Sequence, residues 1–455
     1  MARITFLGGT DTVTGSKFLV DCPAGSVLVD CGMFQGAAED LNWQDPAFER
    51  LPDEVLLTHA HIDHTGYLPR LVGTFGYSGP VRATAATADL LSVMLPDSAR
   101  LQEETAAYAN KAGYSRHRPA LPLYTEEHAA RALELLHPAP YHEWVEIPCG
   151  RARFLFAGHI LGSAHIAVEH QGRRIVFSGD VGRWDLPILK DPEPPAPADL
   201  LVLESTYGGR SHAVGKDPDT MLEEVVSEIV RRGGVLVVPA FSIGRTQEIL
   251  FRLRALEDAG RIPVLPVYLD SPMAIDATEM YARHHEEHDL ETNRLERAGT
   301  NPLRPHRLRF TRTVEESKRL NGIWGEPMVV ISASGMASGG RVPHHLKRRL
   351  PYAENVVAFV GYQAEGTRGR ALVDGADRVR IHGEDVEVRA TVTRLEAFSA
   401  HADHDELLRW VGESVPGRIA LVHGEQQARE ALAAALRDAY RVEVVLPARG
   451  DALDV

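Results

Sequence analysis

The sequence predicts a mixed α/β protein in which a strand-rich domain is interrupted by an inserted, doubly wound α/β domain. Three observations lead there. Up to about residue 210, short apolar or alternating runs of strand length dominate. From about residue 217, short all-apolar runs alternate with helical spacing, the pattern of a parallel sheet covered on both faces. After "GYQAEGTRGR" the strand-rich texture returns, and two helix–strand units close the chain.

Taken in order, "RITFLG", "SVLVD", "EVLLTHA", "RARFLFA", "HIAVEH", "RRIVFSGD" and "DLLVLEST" read as strands. "TGYLPRLV" suggests a helix, and between residues 85 and 136 "DSARLQEETAAYANKAG" and "TEEHAARALELL" carry helical spacing. "KDPEPPAPAD" is a Pro-rich connector. In the insert, helix "DTMLEEVVSEIVRRG" leads to strand "GVLVVPA", helix "GRTQEILFRLRALED", strand "PVLPVYLD" and helix "SPMAIDATEMYARHH", followed by strands "PMVVIS" and "NVVAFVGY". "RVRIHG" and "EDVEVRATVTRLEAFSA" then read as strands of the resumed first domain. The expected boundaries are 1–207 and 367–455 for the outer domain and 208–366 for the insert.

A length of 455 residues suits two or three domains with ample core. The chain is 44% hydrophobic and 25% charged, with no apolar run of membrane-spanning length, so a soluble globular protein is expected and a membrane partner is not. "MARITFLGGTDTVTG" reads as a strand and loop and not as a signal peptide. Cys22, Cys31 and Cys149 are an odd count without CxxC spacing, which suggests free thiols in a reducing compartment, the cytoplasm. A net charge of −14 argues against non-specific nucleic-acid binding. It leaves room for a local basic cleft, where bound metal ions add positive charge.

"LLTHAHIDHTGYLPRLV", from Leu56, places His59, His61, Asp63 and His64 within six residues after an apolar run. With 21 histidines in the chain some clustering is expected by chance, but HxHxDH is an ordered pattern. A strand end followed by a tight loop lets His59 and His61 meet on one ion, while Asp63 and His64, at the start of the next helix, face a second one about 3.5–4 Å away. Imidazole nitrogen and carboxylate oxygen are the ligand set of zinc, with manganese or iron as alternatives. Further strand ends carry acids and histidines: Asp30 in "VLVDCG", His159 and His165 in "LFAGHILGSAH", Asp180 in "IVFSGDVG", Glu204 in "LVLESTYGG", His401 in "EAFSAHADH" and His423 in "IALVHGEQ". Each alone is ordinary. Together they are residues that can converge on one edge of a sheet sandwich.

The order Asp30, "HAHIDH", His159, Asp180 resembles the motif series of the metallo-β-lactamase superfamily, and Glu204, His401 and His423 resemble the three extra motifs of its β-CASP branch, most closely its RNA-processing members. "GHILGSAH", "SGDVGR", "FSIGRTQE", "ISASGM" and "GYQAEGT" add similar context. The resemblance implies an αββα sandwich with an inserted β-CASP domain and two zinc ions, manganese being an alternative. It implies that His59, His61 and His159 hold the first ion, that Asp63, His64 and His423 hold the second, that Asp180 bridges them, and that Asp30 orients the HxHxDH loop. His165 is expected to pack near the site without binding metal. The implied activity is hydrolysis of RNA phosphodiester bonds, as an endonuclease, a 5′→3′ exonuclease or both, in RNA processing or decay. Two close cations acidify a bridging water and stabilise phosphoryl oxygens. Asp63 orients the nucleophile, and His401, paired with Glu204, protonates the leaving ribose oxygen.

Single-stranded RNA is the expected partner; a homodimer is compatible with the sequence. "RPHRLRF" near Arg304, "HHLKRRL" with Lys347 and Arg348, and "GTRGR" with Arg368 and Arg370 supply positive charge that can track phosphates in a cleft between the domains. The ordinary reading of such runs is a solvated face. In "SASGMASGGR" the backbone N–H groups, with Ser332 and Ser334, can cradle a phosphate. No RNP-like aromatic pair, KH module or zinc finger is legible. Competing expectations are a DNA-processing β-CASP nuclease, a small-molecule metallo-hydrolase and a non-catalytic scaffold. DNA-acting members of the branch tend to carry valine where this chain has His423. A small-molecule hydrolase needs neither the insert nor the Glu204–His401 pair, and scaffolds lose metal ligands that are all present here.

Overall fold

Parallel strands that share a register end at the same edge of a sheet, and that rule organises this molecule. The computed structural model describes residues 2–44, 48, 50–113, 118–212, 217–361, 363, 365–395 and 397–455; Tyr362, Ala364 and Glu396, inside two of the motif stretches quoted above, lie outside them. The chain divides into two compact units, one of residues 1–185, 191–211 and 401–455 and another of residues 186–190 and 212–400.

In the first unit, one sheet runs in the spatial order Ala452–Asp454, Arg3–Gly8, Lys17–Cys22, Gly25–Val29, Glu54–Leu56, Val81–Ala83, Leu136–Pro138. A second runs Glu443–Val445, Arg418–Val422, Leu200–Glu204, Arg173–Phe177, Ala164–His170, Gly150–Phe156, Trp144–Ile147. Alternate residues of the two sheets face one core. Ile4, Phe6, Phe18, Val20, Val27, Val29 and Leu56 meet Phe154, Ile166, Val168, Ile175, Phe177, Val202 and Val422. The period of two in "RITFLG" and "KFLVDC" is the trace of that inward face. The other face of the second sheet, with Val176, Leu201, Leu203, Ile419 and Leu421, packs on Trp410, Leu432 and Leu436 of helices His404–Gly412 and Gln426–Tyr440. This is the expected sandwich. Strands 25–29 and 54–56 are parallel and aligned Val29 with Leu56. Strands 173–177, 200–204 and 418–422 are likewise parallel, with Phe177 opposite Val202 and Glu204 opposite Val422. Their carboxyl ends share one edge in each sheet.

The second unit holds the doubly wound sheet, all parallel, in the order Leu308–Phe310, Val267–Leu269, Met328–Ser332, Val235–Pro239, Val356–Val360, Thr391–Leu395. Both faces are buried. Leu236 and Val238 pack on Leu222, Ile249, Leu250 and Ile275, whereas Val235 and Val237 pack on Val342, Leu346 and Leu350. That is why "VLVVP" carries no polar alternation. The sequence reading returned the chain to the first domain at residue 367, but by packing residues through 400 stay with the second unit. Val379, Ile381 and Val386 of the hairpin 378–387 bury against the same core as Phe359 and Leu372, and strand 391–395 extends the parallel sheet beside 356–360.

The basic run "HHLKRRL" lies on helix Val342–Arg349 and splits by helical phase. Arg349 is 1% exposed and donates to the carbonyls of Leu320, at 3.3 Å, and Ile323, at 2.7 Å. Burial pulls its pKa down to about 10. Arg348 is exposed, with its guanidinium 5.8 Å from the Trp324 ring centroid. Arg349→Ala therefore strands two carbonyls and leaves a void, and it is expected to lower the thermal midpoint by more than about 4 °C. Arg348→Ala is expected to stay within about 0.5 kcal/mol of the parent, the usual range for a surface change. Differential scanning calorimetry of the two variants checks the contrast; equal midpoints would remove the structural role of Arg349.

Candidate metal centre

The strand-end residues meet at the shared edge of the first unit. Asp30 follows strand 25–29, His59 and His61 follow strand 54–56, His159 follows 150–156, Asp180 follows 173–177, Glu204 closes 200–204 and His423 follows 418–422. Asp30 and His423 take positive φ, +59° and +50°. This left-handed turn costs an L-residue about 1–2 kcal/mol and turns each side chain off its strand axis.

The donor atoms fall into two groups. His59, His61, His159 and Asp180 form one and Asp63, His64 and His423 the other, with the donor atoms of each group within 4.8 Å of one another. Nε2 of His59 and Nε2 of His159 lie 3.1 and 3.3 Å from Nδ1 of His61. Both Nε2 atoms lie 3.5 Å from Oδ2 of Asp180. Nε2 of His64 is 3.3 Å from Nε2 of His423 and 3.3 Å from Oδ1 of Asp180. Nε2 of His423 is 3.4 Å from Oδ2 of Asp63. Asp180 touches both groups.

The chain fixes which nitrogen of each ring faces inward. Asp30 accepts from Thr58 N–H at 2.8 Å and from the Thr58 hydroxyl, and its Oδ2 lies 2.7 Å from Nδ1 of His64. The Thr58 and Thr206 hydroxyls each lie 3.0 Å from Nδ1 of a ring, His59 and His423 respectively. In all three rings Nε2 is left for the centre. The Ser163 hydroxyl accepts from His159 N–H at 3.0 Å and holds that loop. Sequence reading missed Thr58, Thr206 and Ser163. Two of them stand beside a motif residue, in "LTHAH" and "EST", and nothing in their type marks them. Close approach is also built in: Met33 N–H donates to Ile62 O and Ser16 N–H to Asp63 O, and a Cβ at Gly32 would fall 1.7 Å from the Asp63 carbonyl oxygen.

The residues fit transition-metal ions. Asp180 is 2% exposed and its Oδ1 receives no hydrogen bond, a costly state for a buried carboxylate oxygen. Burial drives the pKa of His59 far down, and that of His61 down to about 4, so both rings are neutral and present lone pairs. Burial opposes charge on His64 and Asp180 as well, yet their mutual attraction wins: His64 is raised, and Asp180 is held low by His423, His64, His401 and His59. Neutral imidazoles around buried carboxylates are an arrangement that calls for cations, and imidazole with carboxylate is borderline-metal chemistry.

His401 stands beside this set. Its Nδ1 is 3.3 Å from Oε1 of Glu204 and 3.9 Å from Oδ2 of Asp180. Burial disfavours its charged form, but Glu204 and Asp180 outweigh that and raise its pKa to about 9; cations nearby would oppose this rise. Glu204 is itself anchored, accepting from Val181 N–H at 2.8 Å and Thr206 N–H at 3.2 Å. His165 stays outside: it is fully buried, its ring lies 5.3 Å from that of Trp410, and neither nitrogen has a partner. Burial lowers its pKa to about 3.

Three family models match the chain. They are described as Metallo-beta-lactamase superfamily, over residues 15–221; Beta-Casp domain, over 246–372; and Zn-dependent metallo-hydrolase RNA specificity domain, over 385–447. "Ribonuclease TTHA0252" of Thermus thermophilus is 39% identical, over 93% of this chain and 94% of that protein. The chain belongs to the metallo-β-lactamase superfamily, in its β-CASP branch. Within that branch, "Transcription termination factor FttA" of Methanosarcina mazei is 32% identical over 97% of this chain and 70% of that protein, and "RNase J-like protein" of Methanocaldococcus jannaschii is 30% identical over all of both. A solved structure of a protein of unknown function from Enterococcus faecalis V583 shares the fold, with a TM-score of 0.58 at 13% identity over 99% of each chain. As a member of this superfamily the protein is a metal-dependent hydrolase.

The residues expected to hold substrate lie in the second unit and are placed unevenly. Ser332 is buried and its hydroxyl donates to Asp270 O at 2.9 Å, which removes it as a phosphate donor. Arg368 donates to the carbonyls of Ala337 and, at 3.1 Å, Arg380, so its guanidinium ties down the glycine-rich loop from within. Lys347 is paired with Glu384 at 2.6 Å. Ser334, half-buried, and exposed Arg348 and Arg304 remain reachable.

Asp30→Asn would replace an acceptor-only carboxylate with an amide that must turn an N–H toward Thr58 or His64. The expected outcome is metal affinity weaker by about 10–100-fold with the fold retained, measured by competition with a chromogenic chelator. Unchanged affinity would separate Asp30 from the centre.

Proposed function

We propose that the protein is a two-zinc ribonuclease that hydrolyses phosphodiester bonds of single-stranded RNA in RNA processing or decay, in the cytoplasm. The observation that carries this reading is one buried carboxylate, Asp180, touching both donor groups, with the His401–Glu204 pair at its side. The ribonuclease and RNase J-like names of its relatives and the RNA-specificity match at 385–447 support it. Free thiols, two of them buried, suit a reducing compartment.

In this reading His59, His61 and His159 would hold the first ion and Asp63, His64 and His423 the second, with Asp180 serving both. Zinc fits the imidazole-rich set best, and manganese is the alternative. Two such ions would supply Lewis acidity toward phosphoryl oxygens and a water acidic enough to attack at neutral pH. Asp63 would accept a hydrogen bond from the attacking water and aim it. His401, as imidazolium, delivers a proton to the leaving ribose oxygen while Glu204 holds the ring and its charge. The first unit carries the chemistry, and the second holds RNA through Ser334, Arg348 and the N–H groups of the loop after strand 328–332.

RNA and DNA of one sequence, labelled separately at each end and resolved over time, test the activity. Cleavage of RNA alone is expected, and the first labelled products distinguish endonucleolytic from 5′→3′ exonucleolytic action. Cleavage of DNA alone would replace this reading with the DNA-processing one.

Two histidines should fail differently. His423→Ala is expected to lose metal and activity together. His401→Ala is expected to retain both ions and RNA binding and to cleave about 10²–10⁴-fold more slowly. A 5′-phosphorothiolate at the scissile position needs little protonation, so it is expected to restore His401→Ala and leave His423→Ala inactive. Loss of a metal ion from His401→Ala would remove the acid role.

A further inference from the structure

A separate donor cluster, with no residue used above, lies in the second unit. Nδ1 of His285 and Nδ1 of His288 lie 2.8 and 3.1 Å from the same atom, Oε2 of Glu296. The side chain of His288 is 0% exposed, that of Glu296 is 17% exposed, and that of His285 is 59% exposed. All three donor atoms are within 4.8 Å of one another.

The proton inventory of His288 is informative. Its Nε2 lies 2.9 Å from the Tyr281 carbonyl, which can only accept, so Nε2 carries a hydrogen. A neutral His288 then turns the lone pair of Nδ1 toward a carboxylate oxygen, which is repulsive. Either a proton or a cation must lie between them. A proton would sit either on His288, as a fully buried imidazolium with a desolvation cost of several kcal/mol before pairing, or on Glu296, as a carboxyl group that donates to Nδ1. A ring whose second nitrogen is fixed by a backbone carbonyl is also the usual setting of a metal-binding histidine. Asp30 uses the same device on His64.

We propose that His285, His288 and Glu296 form a third transition-metal site that takes zinc or a similar borderline divalent ion, with water completing the shell on the exposed His285 side. Two imidazoles and a carboxylate exclude magnesium and calcium as the preferred ions. The site joins the turn His285–Glu287 to the last turn of helix Leu290–Arg297. Residues 287–289 in turn hold the segment 188–190, since Lys190 N–H donates to Glu287 O at 3.0 Å and Asp289 N–H to Ile188 O at 2.9 Å. The ion would therefore act as a staple for this corner of the unit.

The full chain is stripped with chelator, reloaded with zinc alone, desalted and assayed for metal by mass spectrometry. The expected result is one zinc more per chain in the parent than in His285→Ala, whatever the count at the catalytic centre, with nuclease activity unchanged. Glu296→Gln, which keeps the shape of the side chain, is expected to lose the same ion. His285 is exposed, so its removal leaves the fold intact, which circular dichroism verifies. Equal zinc counts in parent and His285→Ala, or an extra ion retained only from millimolar zinc, would overturn the site and leave a proton between His288 and Glu296 as the account of His288.

Discussion

A carboxylate that is 2% exposed and has one oxygen without a hydrogen bond is the constraint on which the first unit turns. Asp180 can be kept there only by positive charge, and the chain arranges imidazoles from three separate segments around it. Those rings are buried; burial keeps His59 neutral, whereas Asp180 and Asp30 raise His64, and a neutral ring answers the carboxylate through an ion that both can bind. Occupancy of the centre and stability of this edge of the sandwich are therefore linked quantities.

Placement of the rings depends on backbone register more than on the rings themselves. Five parallel strands end in step, three in one sheet and two in the other, so residues far apart in sequence arrive at one edge. Asp30 and His423 leave their strands through left-handed turns. Gly32 permits the Asp30 loop to touch the HxHxDH turn. Thr58, Thr206 and Asp30 then select the nitrogen that each ring offers.

Charge is handled differently in the second unit. Of the basic residues that sequence reading assigned to phosphate, Arg368 spends its guanidinium on backbone carbonyls and Lys347 pairs with Glu384, and Arg349 in the same run also donates to a carbonyl. The basic groups of this unit that stay reachable are therefore fewer than the sequence suggests.

By itself the sequence determined the sandwich and the parallel insert, and it marked the His and Asp residues expected to form a centre. Inward faces repeat with period two, doubly buried strands lose that alternation, and metal ligands must be His or Asp wherever they sit. HxHxDH is legible because its ligands are local. The resemblance already separated His159 from His165, and the fold puts the first on the loop after strand 150–156 and the second inside strand 164–170, beside Trp410. Only the tertiary structure decided that residues 367–400 pack with the insert, because their apolar side chains, Val379 and Ile381 among them, carry no mark of which core they enter. The same holds for Ser332 and Arg349: a hydroxyl or guanidinium reads as a surface donor until the fold supplies a carbonyl to bind it. Periodicity and ligand type are written in the chain; partners are fixed only when distant segments meet.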